Sequence, residues 1–284
     1  MDDSQFFIVG ANGQLGTALR QKYPSAKFAD LSQLDISDRQ SVQNFDWSGT
    51  KVILNAAAFT NVDGAESQEG RIAAWKVNAT AVGYLAKAAQ KHDITLVHIS
   101  TDYVFDGSKD LHTEDEDFSP LSVYGASKAA GDLIVSQLTK HYILRTSWVI
   151  GDGKNFVRTM LGLGEKGINP TVVADQIGRL TFTSELVRAI DHLLSTKADF
   201  GTYNLSNSGD PASWAEITRK IFDISGLSNA VTDTSTVEYF AGKEGIAPRP
   251  LASTLDLKKI QATGFRSTDW IEDLKKYITK EKNS

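Results

Sequence analysis

A doubly wound α/β fold, with a parallel sheet and a smaller C-terminal lobe, is the architecture predicted for this 284-residue chain. Two observations predict it. Short apolar runs bounded by turn residues alternate with helix-period segments through the first half, as in βαβ units whose strands are buried on both faces. The first of these runs opens into a glycine-rich loop that leads into a helical pattern, the junction at which such sheets bind anions.

In chain order the expected strands are FFIV (6–9), KFA (27–29), KVIL (51–54), TLVHI (95–99) and YILRT (142–146). They are short, mostly apolar runs of the kind a buried strand needs. Helical periodicity fills 14–23, 69–91, 125–139 and 155–166. Beyond 165 the alternation loosens: SELVRAIDHLL and SWAEITRKIFDI read as helices, TVVA and TYNLS as short strands, and AGKEGIAPRP as a long loop.

Composition narrows the function classes. Hydrophobic residues at 41% and charged residues at 23% suit a globular protein and exclude a disordered one. A net charge of -5 argues against a nucleic-acid surface, and the absence of cysteine excludes thiolate chemistry. The start MDDSQFFIVG has no basic region before an apolar core, and no apolar run is long enough to span a membrane. A soluble, cytoplasmic protein with no membrane partner is expected. The histidines at 92, 98, 112, 141 and 192 lack ligand spacing, so no metal is expected.

The loop GANGQLG places Gly10, Gly13 and Gly16 three apart between a strand and a helix. Glycines there allow a sharp turn, a close approach to a pyrophosphate and tight helix packing, and the helix N-terminal amides face the anion. Residues 1–165 are therefore read as a Rossmann-type dinucleotide-binding domain and 166–284 as mainly a substrate-binding lobe, with a soft, discontinuous boundary. Asp30 stands where an acidic residue meets the adenosine ribose of NAD, or else caps a turn in FADLSQLD. Leu31 and Ser32 follow it with no cation for a 2'-phosphate, which leans the choice towards NADH. Ala56, Ala57 and Ala58 would let a dinucleotide lie over the third strand, and Ser100, Thr101 and Asp102 arrive at the same crevice from the fourth. In SVYGASKAAGDL, Tyr124 and Lys128 are four apart at the start of a helix, so ammonium and phenol share a face. Positive charge there lowers a phenol pKa. A packed tyrosine beside a solvated lysine is the plainer alternative.

In combination GANGQLG, NAAAFTNVDGAE, STDYVFDG, VYGASK, RTSWVIG, VVADQIGRLT and APRPLASTLD resemble the dTDP-4-dehydrorhamnose reductase family, an extended branch of the short-chain dehydrogenase/reductases. The resemblance spans almost the whole chain. It implies reduction of the 4-keto group of dTDP-4-dehydro-L-rhamnose by NADPH or NADH, giving dTDP-L-rhamnose for cell-surface polysaccharide. On that basis Tyr124 is the proton donor, Lys128 its partner and holder of the nicotinamide ribose, and Thr101 the group that polarises the ketone. Asn78 completes the reductase tetrad through a water. Asp102, Trp148 and Val62 match substrate contacts. Gly13, Gln14, Leu15, Asp30, Asp35, Ile36, Ala58, Phe59, Thr60 and Ile99 match cofactor contacts.

Where some members carry a glutamate that binds magnesium at a dimer interface, this chain has Ala18. A monomer or a metal-independent homodimer is the resulting expectation. The substrate diphosphate needs local cations, and Arg249 in APRP, Lys154 and Arg158 are the candidates. Two rival readings stand beside the main one: a catalytically idle regulatory subunit of the same fold, and a sibling reductase that makes a different deoxysugar.

Overall fold

The computed structural model describes residues 2–29 and 31–283, so Asp30 lies outside the described residues. Six parallel strands form the central sheet: β1 (Phe6–Val9), β2 (Lys27–Phe28), β3 (Val52–Asn55), β4 (Thr95–Thr101), β5 (His141–Thr146) and a sixth, Gly201–Asn204. Their spatial order is β2, β1, β3, β4, β5 and then the sixth. The chain runs outward from β1 to β2 and returns to lay β3 on the other side of β1. That reversal opens a crevice at the carboxyl ends of β1 and β3, the place where such sheets take ligands.

Side chains alternate across each strand, so one sequence feeds two cores. Ile8, Leu54, Val97 and Leu144 face Leu15 and Leu19 of α1 (Gln14–Lys22). Phe7, Ile53, Leu96 and Ile143 face the opposite core. There a short helix, α2 (Arg39–Asn44), contributes Val42.

The helix expected over 69–91 is interrupted. It divides into α3 (Gln68–Trp75), a π-helical turn (Lys76–Thr80) and α4 (Ala81–Lys91). The extra residue of a π turn re-aims a side chain, and the residues buried there are Asn78 and Ala79. Next comes α5 (Val123–Val135), which starts two residues before the periodicity predicts. Ser122 caps it by accepting from Gly125 N, which fixes Tyr124 and Lys128 in its first two turns.

A third core joins α6 (Phe156–Glu165) through Val157 and Leu161 to the last helix, Trp270–Lys282, through Leu274 and Ile278. Between them in sequence, α7 (Thr183–Thr196) packs Leu186, Ile190 and Leu193 back onto the sheet core. The run TYNLS supplies the sixth strand, with Tyr203 beside Leu144 of β5. The segment after 165 thus serves both bodies. α8 (Trp214–Ser225) completes the lobe, closed by a reciprocal Ser213–Glu216 capping box.

Candidate active site

The crevice holds two adjoining cavities that share Gly13 and the three alanines 56–58. One, of about 580 Å³, is lined by Gly10, Gly13, Asp35, Ile36, Ala58 and Lys76. The other, of about 470 Å³, is lined by Gln14, Leu15, Thr60, Val62 and Ile99, and by the predicted catalytic groups Thr101, Asp102, Tyr124, Lys128 and Trp148. A continuous groove of this kind fits an extended dinucleotide. Gly10 takes φ +76°, and a side chain on it would meet Ala57 N at 2.5 Å. Gly16 lies off the groove and does a different job: a Cβ there would stand 2.1 Å from Gly10 O, so its bareness lets α1 seat on the loop.

Thr101 and Tyr124 approach each other from β4 and α5. The Thr101 hydroxyl donates to Asp102 Oδ1 at 3.1 Å, and the hydrogen bond between Thr101 and Tyr124 pulls the phenol pKa down. Burial outweighs it. The phenol is pushed up to about 12, where the i, i+4 spacing predicts a lowered value. Lys128 is almost fully buried and donates to Ile99 O at 2.6 Å. Burial pushes its own pKa down to about 8 against the pull of Asp132. Asp102 is likewise buried, and desolvation raises its carboxyl to about 6 despite bonds from Ser253 and Thr101. The tyrosine therefore stays protonated at neutral pH, as an acid must.

Asn78 is held by its side chain. Its side-chain oxygen accepts from Phe59 N at 2.8 Å, and its amide donates to Phe59 O and to Ser127 Oγ. The side chain is a clamp between the loop after β3 and α5, and it holds the backbone of Phe59, whose neighbours Ala58 and Thr60 line the groove while Phe59 does not. Trp148 has φ +46°, a conformation costly for a bulky residue. Trp214 holds it there by stacking at 3.8 Å between ring centroids, a partner with no local signal in the sequence.

Arg249 does not reach the groove of Tyr124 and Lys128. Its Nη2 donates to both oxygens of Asp63 at 2.8 Å, and the side chain lines a separate cavity of about 190 Å³ with Phe156, Trp214, Tyr239 and Phe240. Trp148 and Trp214 form the wall between the two spaces. Arg158 is bound to Glu281 on the last helix, and the backbone oxygen of Lys154 accepts from Gln14.

Residues 4–283 match the family model described as the RmlD substrate binding domain. The chain belongs to that family. Across 97% of both chains it is 36% identical to the spore coat polysaccharide biosynthesis protein SpsK of Bacillus subtilis. It is 38% identical to the dTDP-4-dehydrorhamnose reductase of Aggregatibacter actinomycetemcomitans, covering 96% of this chain and 97% of that one. A crystal structure of the Bacillus anthracis dTDP-4-dehydrorhamnose reductase in complex with NADP superposes with a TM-score of 0.88 at 36% identity, over 97% of this chain and 98% of that one. The Rossmann-type sheet is thus shared with a family member solved in complex with NADP.

Proposed function

We propose that this protein is an NAD(P)H-dependent oxidoreductase that reduces the 4-keto group of dTDP-4-dehydro-L-rhamnose to give dTDP-L-rhamnose. The observation that carries the reading is the convergence of Tyr124, Lys128, Thr101 and Asp102 on one side of a dinucleotide-sized groove in a chain of this family. Bound along Gly10, Gly13 and Ala56–Ala58, a reduced nicotinamide supplies the hydride. Tyr124 gives its phenolic proton to the ketone oxygen as charge develops there. Thr101 donates to the same oxygen, a bond that strengthens with that charge. Lys128 holds the ribose and, as a cation, lowers the cost of the phenolate. Asp102 accepts from a sugar hydroxyl, Trp148 lies against the sugar, and Val62 closes the pocket.

The nucleotide end extends past the Trp148–Trp214 wall towards Arg249. Either nicotinamide cofactor serves; Lys76, on the adenosine side, is the cation in reach of a 2'-phosphate. The protein acts as a monomer or a metal-independent homodimer. Glu185, which the family resemblance implies as the second carboxylate of the magnesium site that Ala18 leaves incomplete, is buried, accepts from Thr268 N at 3.0 Å and pairs with Arg188. No helix among the described residues is long and apolar enough to cross a membrane, in keeping with a cytoplasmic location. The test is incubation with dTDP-4-dehydro-L-rhamnose and each reduced cofactor, with product stereochemistry read by NMR. Cofactor oxidation giving the rhamnose epimer is expected. No oxidation would refute the activity, and a different epimer would identify a sibling reductase.

A further inference from the structure

His98 sits fully buried in β4, and none of the roles above uses it. Asn55 is its neighbour across the sheet, in register on β3, with Asn55 Nδ2 3.0 Å from His98 Nδ1. The orientation of that amide is fixed, because its Oδ1 accepts from Ala57 N at 3.2 Å. An amide nitrogen only donates. His98 Nδ1 must therefore accept, and carries no proton. Burial and the charge of Lys128 hold the imidazole well below its ordinary pKa, so the ring is neutral and its one proton lies on Nε2. Nε2 faces Lys128 Nζ at 3.4 Å, while Asp132 Oδ1 is 4.0 Å away, beyond hydrogen-bond reach.

The consequence is one-sided. As an ammonium, Lys128 has only N–H groups to turn towards another N–H. As an amine, it offers a lone pair that accepts the Nε2 proton. We propose that His98 is a positioning residue of the reduction: locked by Asn55 as the Nε2–H tautomer, it favours the neutral amine of Lys128 and directs the ammonium protons away, to Ile99 O and into the cleft. The other charged and titratable groups around the pair are few. Asp132, one turn on from Lys128 in α5, favours the ammonium, but Arg145 of β5 donates to its other oxygen at 3.0 Å. Tyr124 is neutral. A lysine poised near neutrality can pass a proton to the phenolate left on Tyr124 and take another from water, which an ordinary lysine does reluctantly.

This inference rests on Lys128 being the catalytic lysine, yet its test needs no turnover and so fails separately from the proposed activity. Two-bond 1H–15N spectra of histidine-labelled protein report the tautomer. A pH titration of 13C-labelled lysine, with the signal assigned by its loss in Lys128→Met, gives the Lys128 midpoint. The Nε2–H form is expected in the parent. Isosteric Asn55→Asp places an acceptor at Nδ1, moves the proton there and leaves Nε2 free to accept from the ammonium. The Lys128 midpoint should then rise by about one pH unit, a tenfold change in its protonation ratio. His98→Phe removes the opposing N–H and should raise it as well. A new carboxylate acts by charge alone too, so Asn55→Asp is repeated in the His98→Phe background, where its shift should be no more than about half as large. A parent Nδ1–H tautomer, an unmoved midpoint, or an equal shift with and without His98 would each overturn the proposal. Should the variants fail to fold, the parent tautomer decides.

Discussion

Replacing Tyr124 with phenylalanine removes one oxygen and leaves the ring, so it separates proton donation from shape. The ring packs edge-on to Tyr103 at 5.6 Å between centroids, a contact that phenylalanine preserves. The residue as a whole is half-buried while its hydroxyl is desolvated and hydrogen-bonded with Thr101, which keeps Asp102 as a partner, so the change in stability should stay within about 1 kcal/mol. The effect on catalysis is larger. Positioned acid catalysis supplies about 100- to 10,000-fold, or roughly 2.7 to 5.4 kcal/mol at 1.36 kcal/mol per decade. Thr101 remains to stabilise the oxygen, which places the expected loss in kcat towards the lower end of that range. Cofactor affinity should change by less than about threefold, since Gly10, Gly13 and Lys128 are untouched. Single-turnover oxidation of the reduced cofactor with the 4-keto sugar, beside fluorescence titration of cofactor binding, measures both. A variant that turns over within about tenfold of the parent would remove Tyr124 as the acid and leave Thr101 or a water in its place.

Four further outcomes follow from the same geometry. The Asp102 carboxyl is raised from 3.8 to about 6, so the folded state holds its proton more tightly than the unfolded chain, and the stability this contributes below pH 3.8 is lost as pH rises through 6. Asp102→Asn should therefore stabilise the fold at pH 7, by up to about 3 kcal/mol in thermal unfolding, while reducing kcat/KM. The profile of kcat/KM against pH should be bell-shaped, rising as Asp102 ionises near 6 and falling as Lys128 loses its proton near 8; a flat profile across that window would contradict both assignments. Gly16→Ala drives a methyl into Gly10 O and should cost about 1–3 kcal/mol and weaken cofactor binding, whereas Gly162→Ala, with open space around it in α6, should be neutral or stabilising by up to about 1 kcal/mol. Activity and sedimentation should be unchanged by excess chelator, because Ala18 cannot ligate a metal and Glu185 already has protein partners; a shift from dimer to monomer on chelation would refute this.

What the sequence could and could not convey divides by the range of the interaction. Local rules located β1, β3, β4 and β5 to within a residue or two, because each is a short apolar run between turn residues. Spacing alone put Tyr124 and Lys128 on one face, and strand ends put Thr101 and Asp102 in the same crevice. The π turn escaped notice because its cause is distant: Asn78 is drawn to Phe59 and Ser127 by hydrogen bonds, against an unbroken helical period. The sixth strand was legible as a strand in TYNLS, but its place in the central sheet was not, for a related reason. TYNLS is short and follows α7, and only its pairing with β5 reveals which body it joins. Long-range partners were equally invisible, including Asp63 for Arg249, Trp214 for Trp148 and Asn55 for His98.

The sign of the tyrosine shift carries the sharper lesson. An i, i+4 ammonium lowers a phenol pKa when both stand in water-like surroundings, but here the fold buries phenol, lysine and aspartate together. Each then moves towards its uncharged form: Tyr124 up to about 12, Asp102 up to about 6 and Lys128 down to about 8. Desolvation is the first cause in all three; hydrogen bonds offset part of it at Tyr124 and Asp102, and the charge of Asp132 offsets part of it at Lys128. Such a cleft resists charge in the resting protein. For the same reason it is sensitive to charge that appears during reaction, because Thr101, Tyr124 and Lys128 act on a developing oxyanion with little water to screen them. The rest of the fold supplies the stability that these buried groups cost: Thr101 and Asp102 stand where β4 ends, Tyr124 and Lys128 in the first two turns of α5, and the buried polar pair Asn55 and His98 lies behind the catalytic lysine.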